Sequence, residues 1–356
     1  MALIRRTRIS GPRLRRPGST LASRCIHMRA CCIVGAGYSH AAGLPLAKDL
    51  LDIDCHISSS EAKDRFQAVW TNFDDWRMHN PGKGPEEYLG YLYGMGAVIG
   101  QPHFRWAVEL VMAVLATPLA SDRRAANPRY ISRITNPSWC LAHKDLWQLL
   151  LEATSSLSVV TTNYDLLVER SLRHSPMRRV FGPGCFYGGL ARPQMLRGVA
   201  LPFSVRRALR VIEMNGLVPV YKLHGSLNWC LRRGSLEMFQ DARAAFRRGG
   251  EAAVVPPTTE KAVPDWLKPV WIEAEERLSE AGCWVVCGYS LPQYDSAIRT
   301  LLKRAATRTV QTIVLLDPNS TQLASSYADV APKAMIKCAR GLPKGIDDLR
   351  RMIQTA

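Results

Sequence analysis

Residues 31–45 read CCIVGAGYSHAAGLP. Apolar side chains run without interruption from Cys31 to Val34 and stop at Gly35, which is typical of a buried parallel strand. Small residues follow, and Pro45 stands where the next helix would begin. The stretch therefore predicts a strand, a tight turn and a helix, which together form the first unit of an α/β fold with a parallel sheet.

Four more apolar runs along the chain carry the same signature. Each run is short and is followed directly by polar or small residues. The runs are LSVVT (157–161), VPVYKL (218–223), CWVVC (283–287) and TIVLL (312–316). Their alternation with helical segments predicts a doubly wound parallel sheet of Rossmann-like type. Because ligands of such sheets bind beyond the carboxyl ends of the strands, the residues after each run are the candidates for a site.

The predicted organisation is a basic tail followed by one large α/β domain. The tail covers residues 1–30, and the domain covers residues 31–356 of the 356-residue chain. Residues 61–155 have a helical pattern and are predicted to form an insertion that buries its own apolar stripe. Residues 228–265 are rich in Gly, Pro and basic side chains and are predicted to form a loop module.

The first 30 residues contain eight arginines and no acidic residue. Three explanations are compatible with this composition: an organellar transit peptide, a disordered basic arm, or translation that begins at Met28. The last two are favoured, and under all three the tail lies outside the fold.

Charge and cysteine usage limit the class of protein. Lysine and arginine total 47 against 30 acidic residues, for a net charge of +17, which favours anionic partners such as nucleotides or nucleic acids. No apolar run is long enough to span a membrane, so no membrane association is expected. None of the ten cysteines stands in a C-x-x-C pair and no signal-peptide core precedes them, so we expect free thiols, no metal site and a cytoplasmic location.

The segment Gly35-Ala36-Gly37 follows the first predicted strand. Two glycines let the backbone approach a phosphate, and the amides of the following helix can receive its charge. The usual dinucleotide fingerprint has a third glycine where this chain has His40. Taken alone, the pattern therefore also fits a tight turn between a strand and a helix.

Polar residues after the second and third runs have the chemistry of a catalytic site. Asn163 can both donate and accept hydrogen bonds, which suits the positioning of a water or a ribose hydroxyl. Asp165 either belongs to the same site or caps the next helix. His224 lies beside a flexible glycine, and the pKa of an ordinary histidine lies near neutrality, which suits a general base.

The last two runs end in residues that can bind sugar and phosphate. Gly288 and Ser290 follow CWVVC and can bind through backbone amides and a hydroxyl. Asp317 follows TIVLL, where an acidic residue typically binds ribose hydroxyls. The alternative for Asp317 is a turn that begins before Pro318.

Five strings in a fixed order resemble the sirtuin-like (silent information regulator 2-like) family. They are GAGYSHAAGLP (35–45), TTNYD (161–165), KLHGSLNW (222–229), VVCGYSLPQYD (285–295) and LLDPN (315–319). The variants TNYD, LHGS-x-x-W and GYSLP-x-x-D are similar to those of bacterial sirtuin-like NAD hydrolases of antiphage defence, rather than to those of protein deacetylases.

The resemblance implies two sets of site residues. The catalytic set is Asn163 and His224. Asp317 takes the place of an asparagine that deacetylases have near the adenine ribose. The set implied to bind NAD comprises Gly35, Ala36, Gly37, Ser39, Asp165, Gly288, Ser290 and Asp317.

The activity implied by the resemblance is cleavage of NAD to nicotinamide and ADP-ribose, in antiphage defence by NAD depletion. Deacetylating sirtuins carry a zinc module with two C-x-x-C pairs, and this chain has no such pair. The expected fold is therefore sirtuin-like with a helical insertion and without a zinc module, and NAD is expected as the substrate without a metal.

Other functions remain open from the sequence. A protein deacylase would use the same NAD chemistry, and a non-catalytic sensor would bind NAD or ADP-ribose without cleaving it. Nucleic-acid binding is an accessory prediction that rests on the net charge and on the arginines around residues 232–248. Because an uncontrolled NAD hydrolase would deplete its host, we expect a homo-oligomer or an operon-encoded regulatory partner.

Overall fold

A seven-stranded parallel sheet forms the centre of the protein. The first 27 residues, to which most of the predicted basic tail belongs, lie outside the part of the chain that the structure describes. The computed structural model describes residues 28–51, 60–95, 103–111, 137–173, 185–190, 218–233, 235–239, 251–255 and 263–354.

Strands occur at all five predicted apolar runs, and the described residues contain five further strands outside these runs. In chain order the strands are β1 (Arg29–Val34), β2 (Ser156–Thr161), β3 (Cys185–Tyr187), β4 (Val218–Lys222), β5 (Gly225–Arg232), β6 (Ser235–Met238), β7 (Glu251–Val254), β8 (Cys283–Cys287), β9 (Thr312–Leu316) and β10 (Met335–Ala339). Of the further strands, β3 lies before the third run, β5 to β7 lie between the third and fourth runs, and β10 follows the fifth.

The order of strands across the main sheet is β10-β9-β8-β1-β2-β4-β3, and every neighbouring pair is parallel. The chain leaves β1 toward β2 on one side and later returns to place β8 on the other side. This arrangement confirms the predicted doubly wound fold. The switch in winding direction lies between β1 and β8, where open α/β sheets bind their ligands.

Helices cover both faces of the sheet. None of those that the structure describes is long and apolar enough to cross a membrane. In chain order they are α1 (Ala36–His40), α2 (Ser60–His79), α3 (Pro85–Gly94), α4 (103–111), α5 (Pro137–Ala153), α6 (Leu167–Arg173), α7 (Lys268–Glu280), α8 (Ser296–Ala306), α9 (Ser320–Val330) and α10 (Gly345–Gln354).

The apolar side chains of strand β1 are buried on both faces of the sheet. Cys32 and Val34 point into one core, which also contains residues of α2, α5 and α10. Cys31 and Ile33 point into the opposite core, which contains residues of α7, α8 and α9. Because successive side chains of a strand face opposite sides, a strand covered on both faces has apolar residues at every position.

A second, three-stranded antiparallel sheet begins at Gly225 and extends into the segment 228–265 that was predicted to be a loop module. Its strand order is β6-β5-β7, and β5 begins directly after His224. Leu227 and Trp229 on β5 are buried in separate cores. The basic and Gly-rich composition of the segment hides this strand pattern in the sequence.

The loops after β1 and β8 pack backbone against backbone at the switch point. The amide of Gly35 donates to the carbonyl of Cys287 (3.1 Å), and the amide of Gly37 donates to the carbonyl of Gly288 (2.8 Å). Gly288 has a φ of +64°, and a Cβ added there would lie 2.2 Å from the amide nitrogen of Tyr38. The contact between the two loops therefore explains these glycines without a ligand.

We predict that Gly288→Ala destabilises the protein, because alanine resists the left-handed conformation and its Cβ has no space. The free energy of unfolding should fall by about 2 kcal/mol or more in a urea titration. Gly282→Ala is the matched control, since an added Cβ there meets no atom within 4 Å. Equal stability of the two variants would contradict this account of the loop contact.

Candidate active site

A cavity of about 420 Å³ opens at the carboxyl ends of the parallel strands. The loops after β1, β2, β4, β8 and β9 line it, together with Glu86 of the helical insertion. Gly35 is the one predicted site residue that does not line it, but its carbonyl accepts a hydrogen bond from a lining residue. The predicted residues that line the cavity are Ala36, Gly37, Ser39, Asn163, Asp165, His224, Gly288, Ser290 and Asp317.

A chain of hydrogen bonds fixes the side chain of Asn163. Its Nδ2 donates to the carbonyl of Gly35 (2.9 Å) and to Oγ of Ser39 (2.9 Å). Ser39 in turn donates to Oδ2 of Asp165 (2.7 Å). A backbone carbonyl can only accept, so the amide nitrogen of Asn163 must face Gly35.

This orientation leaves one polar atom of Asn163 available. Its Oδ1 receives no hydrogen bond from any residue that the structure describes, and the side chain borders the cavity. The residue itself is 7% exposed. Asn163 therefore presents a fixed hydrogen-bond acceptor to a hydroxyl or a water in the cavity.

Both carboxylate oxygens of Asp165 are used within the protein. Oδ1 accepts from the amide of Leu167 (2.8 Å) at the start of α6, and Oδ2 accepts from Ser39. Burial raises the pKa of Asp165, and the nearby Lys222 ammonium opposes that rise. The capping explanation from the sequence is thus correct, and the same carboxyl also holds Ser39 against Asn163.

A buried lysine, to which the sequence gave no role, holds the backbone beside Asp165 in place. Lys222 is fully buried at the end of β4. Its Nζ donates to the backbone carbonyl of Asp165 and to Oε1 of Glu169 (2.9 Å). Tyr187 donates to the same Glu169 oxygen (2.9 Å). The only sequence signal was a charged residue inside the apolar run VPVYKL, where burial requires a partner.

His224 lies opposite a carboxylate. Its Nε2 is 3.8 Å from Oδ1 of Asp295, whose Oδ2 accepts a hydrogen bond from Tyr289 (2.6 Å). Burial lowers the pKa of His224, while the charge of Asp295 and a hydrogen bond to the backbone of Thr162 act in the opposite direction. The imidazole is therefore neutral at pH 7 and can accept a proton.

Asp295 is a site residue to which the sequence analysis gave no role. It is the last residue of the string GYSLPQYD and the N-cap residue of α8. Only 2% of its surface is exposed. Its position beside His224 depends on how the loop after β8 folds back, which the spacing in the sequence does not reveal.

The helical insertion also contributes a carboxyl group to the cavity. Glu86 lies in the first turn of α3, and its Oε2 accepts a hydrogen bond from the hydroxyl of Tyr294. Burial raises the pKa of Glu86 to about 7; the Tyr294 hydrogen bond opposes this, and the charges of Asp295 and Glu87 reinforce it. No motif in the sequence marks Glu86, because only the tertiary placement of the insertion brings it to the site.

The far end of the cavity has the residues predicted to bind sugar and phosphate. Asp317 follows β9, and its Oδ1 accepts from the amide of Asn319 (2.8 Å) at the start of α9. The turn explanation is therefore correct. Its Oδ2 receives no hydrogen bond from the described part of the chain, and Ser290 is exposed at the cavity wall.

Within the described residues, no three His, Cys, Asp or Glu side chains come together in a geometry that could hold a metal ion. The cysteines of β1 and β8 are buried free thiols. Burial raises the pKa of Cys31 to about 12 and that of Cys283 to about 11. These thiols therefore behave as small apolar side chains.

No protein-family model matches the chain, and no curated protein matches it. Solved structures of Sir2 enzymes do. One, from work on the mechanism and regulation of Sir2 enzymes, is 16% identical with a TM-score of 0.43, and the match covers 94% of both chains. A mutant Sir2 homologue in complex with ADP-ribose is 16% identical with a TM-score of 0.41, again over 94% of both chains.

A Sir2 protein in complex with an inhibitor, 2′-O-acetyl-ADP-ribose and a deacetylated peptide is 15% identical. Its TM-score is 0.39, over 92% of this chain and 93% of that one. Likeness at this level carries no weight in assigning the site, which rests on the chain's own geometry.

We predict that Asp295→Asn lowers the pKa of His224 further, because it removes the charge that favours the imidazolium. A ring-nitrogen NMR titration of the parent should give a midpoint below the usual 6.5, and the variant a lower midpoint still. Asparagine keeps an acceptor for Tyr289. Asp317→Asn, at the far end of the cavity, should leave the midpoint unchanged, and an unchanged or higher midpoint in Asp295→Asn would refute the pairing.

Proposed function

We propose that this protein is a sirtuin-like NAD glycohydrolase that cleaves NAD to nicotinamide and ADP-ribose. One observation carries the proposal. The fixed acceptor of Asn163 and the neutral imidazole of His224, which follow different strands, border the same cavity at the switch point of the sheet. A role in antiphage defence by NAD depletion rests on the sequence resemblance.

In the proposed reaction, the bond between C1′ of the ribose and the nicotinamide nitrogen breaks. The electron pair of that bond stays with the nitrogen, so nicotinamide leaves as a neutral molecule. Positive charge develops on the ribose in an oxocarbenium-like transition state, as in other glycosidic cleavages.

A water molecule then completes the reaction at C1′. The Oδ1 of Asn163 accepts a hydrogen bond from this water and orients its oxygen toward C1′. His224 accepts the proton that the water loses, which requires the neutral form that burial favours. Asp165 and Ser39 act indirectly, because they hold the carboxamide of Asn163 in this orientation.

The rest of the cavity is suited to the adenosine diphosphate part of NAD. The diphosphate would lie over the loop after β1 at Ala36 and Gly37. At the far end, the hydroxyl of Ser290 would donate to a phosphate oxygen, and the free oxygen of Asp317 would accept from ribose hydroxyls. No metal enters the proposed reaction.

Cellular control is part of the proposal. We expect a homo-oligomer or an operon-encoded partner to restrain the activity in the cytoplasm, because free turnover would exhaust the cell's NAD. Protein deacylation and NAD sensing are the alternative functions that the same cavity could serve.

We predict that the purified parent protein releases nicotinamide and ADP-ribose from NAD in equal amounts. Asn163→Ala and His224→Ala should each lower kcat by about a hundredfold or more, because each removes a group that acts on the attacking water. His79→Ala is the matched control, since His79 is exposed on α2 away from the cavity. Chromatography of nicotinamide and ADP-ribose measures the turnover of the parent and of the three variants.

Each alternative gives a different result in this assay. Tight NAD binding without nicotinamide release would identify a sensor. Nicotinamide release that depends on an added acyl-peptide would identify a deacylase. Parent-like turnover in both the Asn163 and the His224 variant would disprove the roles given to these residues.

A further inference from the structure

The cavity that His224 lines also contains a carboxyl group that the mechanism above does not use. Glu86 of α3 and Tyr294 of the loop after β8 line this cavity, and both also line a neighbouring cavity of about 360 Å³. Their hydrogen bond joins the helical insertion to the nucleotide-binding core. Glu86 is therefore held at a fixed place beside the site.

Glu86 differs from the other carboxyl groups around His224 in having a free oxygen. Asp165 uses both of its oxygens within the protein. Asp295 accepts from Tyr289 with one oxygen and faces His224 with the other. Glu86 accepts from Tyr294 through Oε2, and among the described residues none donates to its Oε1.

The following inference rests on the proposed function. We propose that Glu86 is a further catalytic residue of the NAD cleavage, whose free oxygen accepts hydrogen bonds from the hydroxyls of the nicotinamide ribose. From there its negative charge stabilises the positive charge that develops at C1′.

The chemistry of the step gives Glu86 this electrostatic role alone. The electron pair of the broken bond leaves with nicotinamide, the water oxygen bonds to C1′, and His224 takes the proton. Glu86 forms no covalent bond and ends the cycle as it began. A carboxylate fixed beside a developing oxocarbenium ion in a partly buried site lowers the barrier without reorganisation of solvent.

This role requires the ionised carboxylate, which makes turnover depend on pH. Burial raises the pKa of Glu86 to about 7. Turnover should therefore rise as the pH increases through about 7. The pKa of His224 is lowered from 6.5, so its own effect on turnover lies at a lower pH. The titratable groups that interact with Glu86 are Asp295, Glu87, Tyr294, Tyr164 and Tyr289, and Lys48 lines the same two cavities as Glu86.

The test is Glu86→Gln, because glutamine keeps an acceptor for Tyr294 and removes only the charge. At pH 8 we expect kcat to fall about a hundredfold, KM for NAD to rise about tenfold because the contact with the ribose hydroxyls weakens, and the rise in turnover near pH 7 to disappear. Glu87→Gln is the matched control. Glu87 is adjacent, caps α3 through the amide of Gly84 (3.0 Å), and does not line the NAD cavity, so this variant should keep the parent kcat.

A second variant separates catalysis from simple attachment of the insertion. Tyr294→Phe removes the hydrogen bond that lowers the pKa of Glu86, so the rise in turnover should move to higher pH. If Glu86 only tethers the insertion, Tyr294→Phe would lower turnover equally at every pH. That result, or a parent-like kcat and pH profile in Glu86→Gln, would overturn the inference.

Binding of ADP-ribose distinguishes a failure of this inference from a failure of the proposed function. Calorimetry should show about tenfold or more weaker ADP-ribose binding in Glu86→Gln than in Glu87→Gln. If the parent cleaves no NAD but this difference is present, the hydrolase proposal fails and the contact of Glu86 with the ribose is supported. If NAD is cleaved and Glu86→Gln matches the control in binding and turnover, only the role of Glu86 fails.

Discussion

The backbone contact between the loops after β1 and β8 is the constraint on which the site depends. Gly37 and Gly288 approach so closely that neither position has space for a Cβ. Backbone hydrogen bonds from Gly35 to Cys287 and from Gly37 to Gly288 join the two loops at the switch point of the sheet. The same loop presents the carbonyl of Gly35, which fixes the amide of Asn163. Geometry of the backbone thus determines which atom of a catalytic candidate faces the cavity.

Burial gives the polar groups around this contact their chemical properties. Away from water, a hydrogen bond is strong and an unpaired charge is costly, so the chain from Asn163 through Ser39 to Asp165 has one stable arrangement. The ammonium of Lys222 stabilises that arrangement because it donates to the backbone carbonyl of Asp165. The same burial keeps His224 neutral and shifts the titration of Glu86 toward physiological pH. The site therefore combines the fixed acceptor of Asn163, the neutral imidazole of His224 and the carboxyl group of Glu86, whose pKa is about 7.

The sequence was sufficient to predict the elements that have a local pattern. The apolar run 31–34 predicts a strand buried on both faces, and the strand–helix alternation predicts the doubly wound sheet, because both patterns follow from burial of consecutive residues. Polar residues after each strand predict the edge at which the cavity lies. The prediction of Asn163 and His224 as site residues rests on the same reasoning, and both residues line the cavity.

The residues that the sequence did not reveal depend on contacts between distant segments. Asp295 acts on His224 across a loop that folds back, and Glu86 reaches the cavity from an insertion that has no motif. Lys222 and the strand β5 were hidden because their neighbours in the sequence suggested other environments. For Gly35 and Gly37 the sequence pattern has two explanations. It is typical of phosphate binding, but the close packing of these glycines against Gly288 and Tyr289 also accounts for it.

The most direct test of the account is a crystal structure of the His224→Ala variant with NAD. The account predicts that the nicotinamide ribose lies between Asn163 and Glu86, with C1′ facing the space left by the imidazole and the adenine ribose beside Asp317. NAD bound in the reverse orientation, or bound outside this cavity, would contradict it.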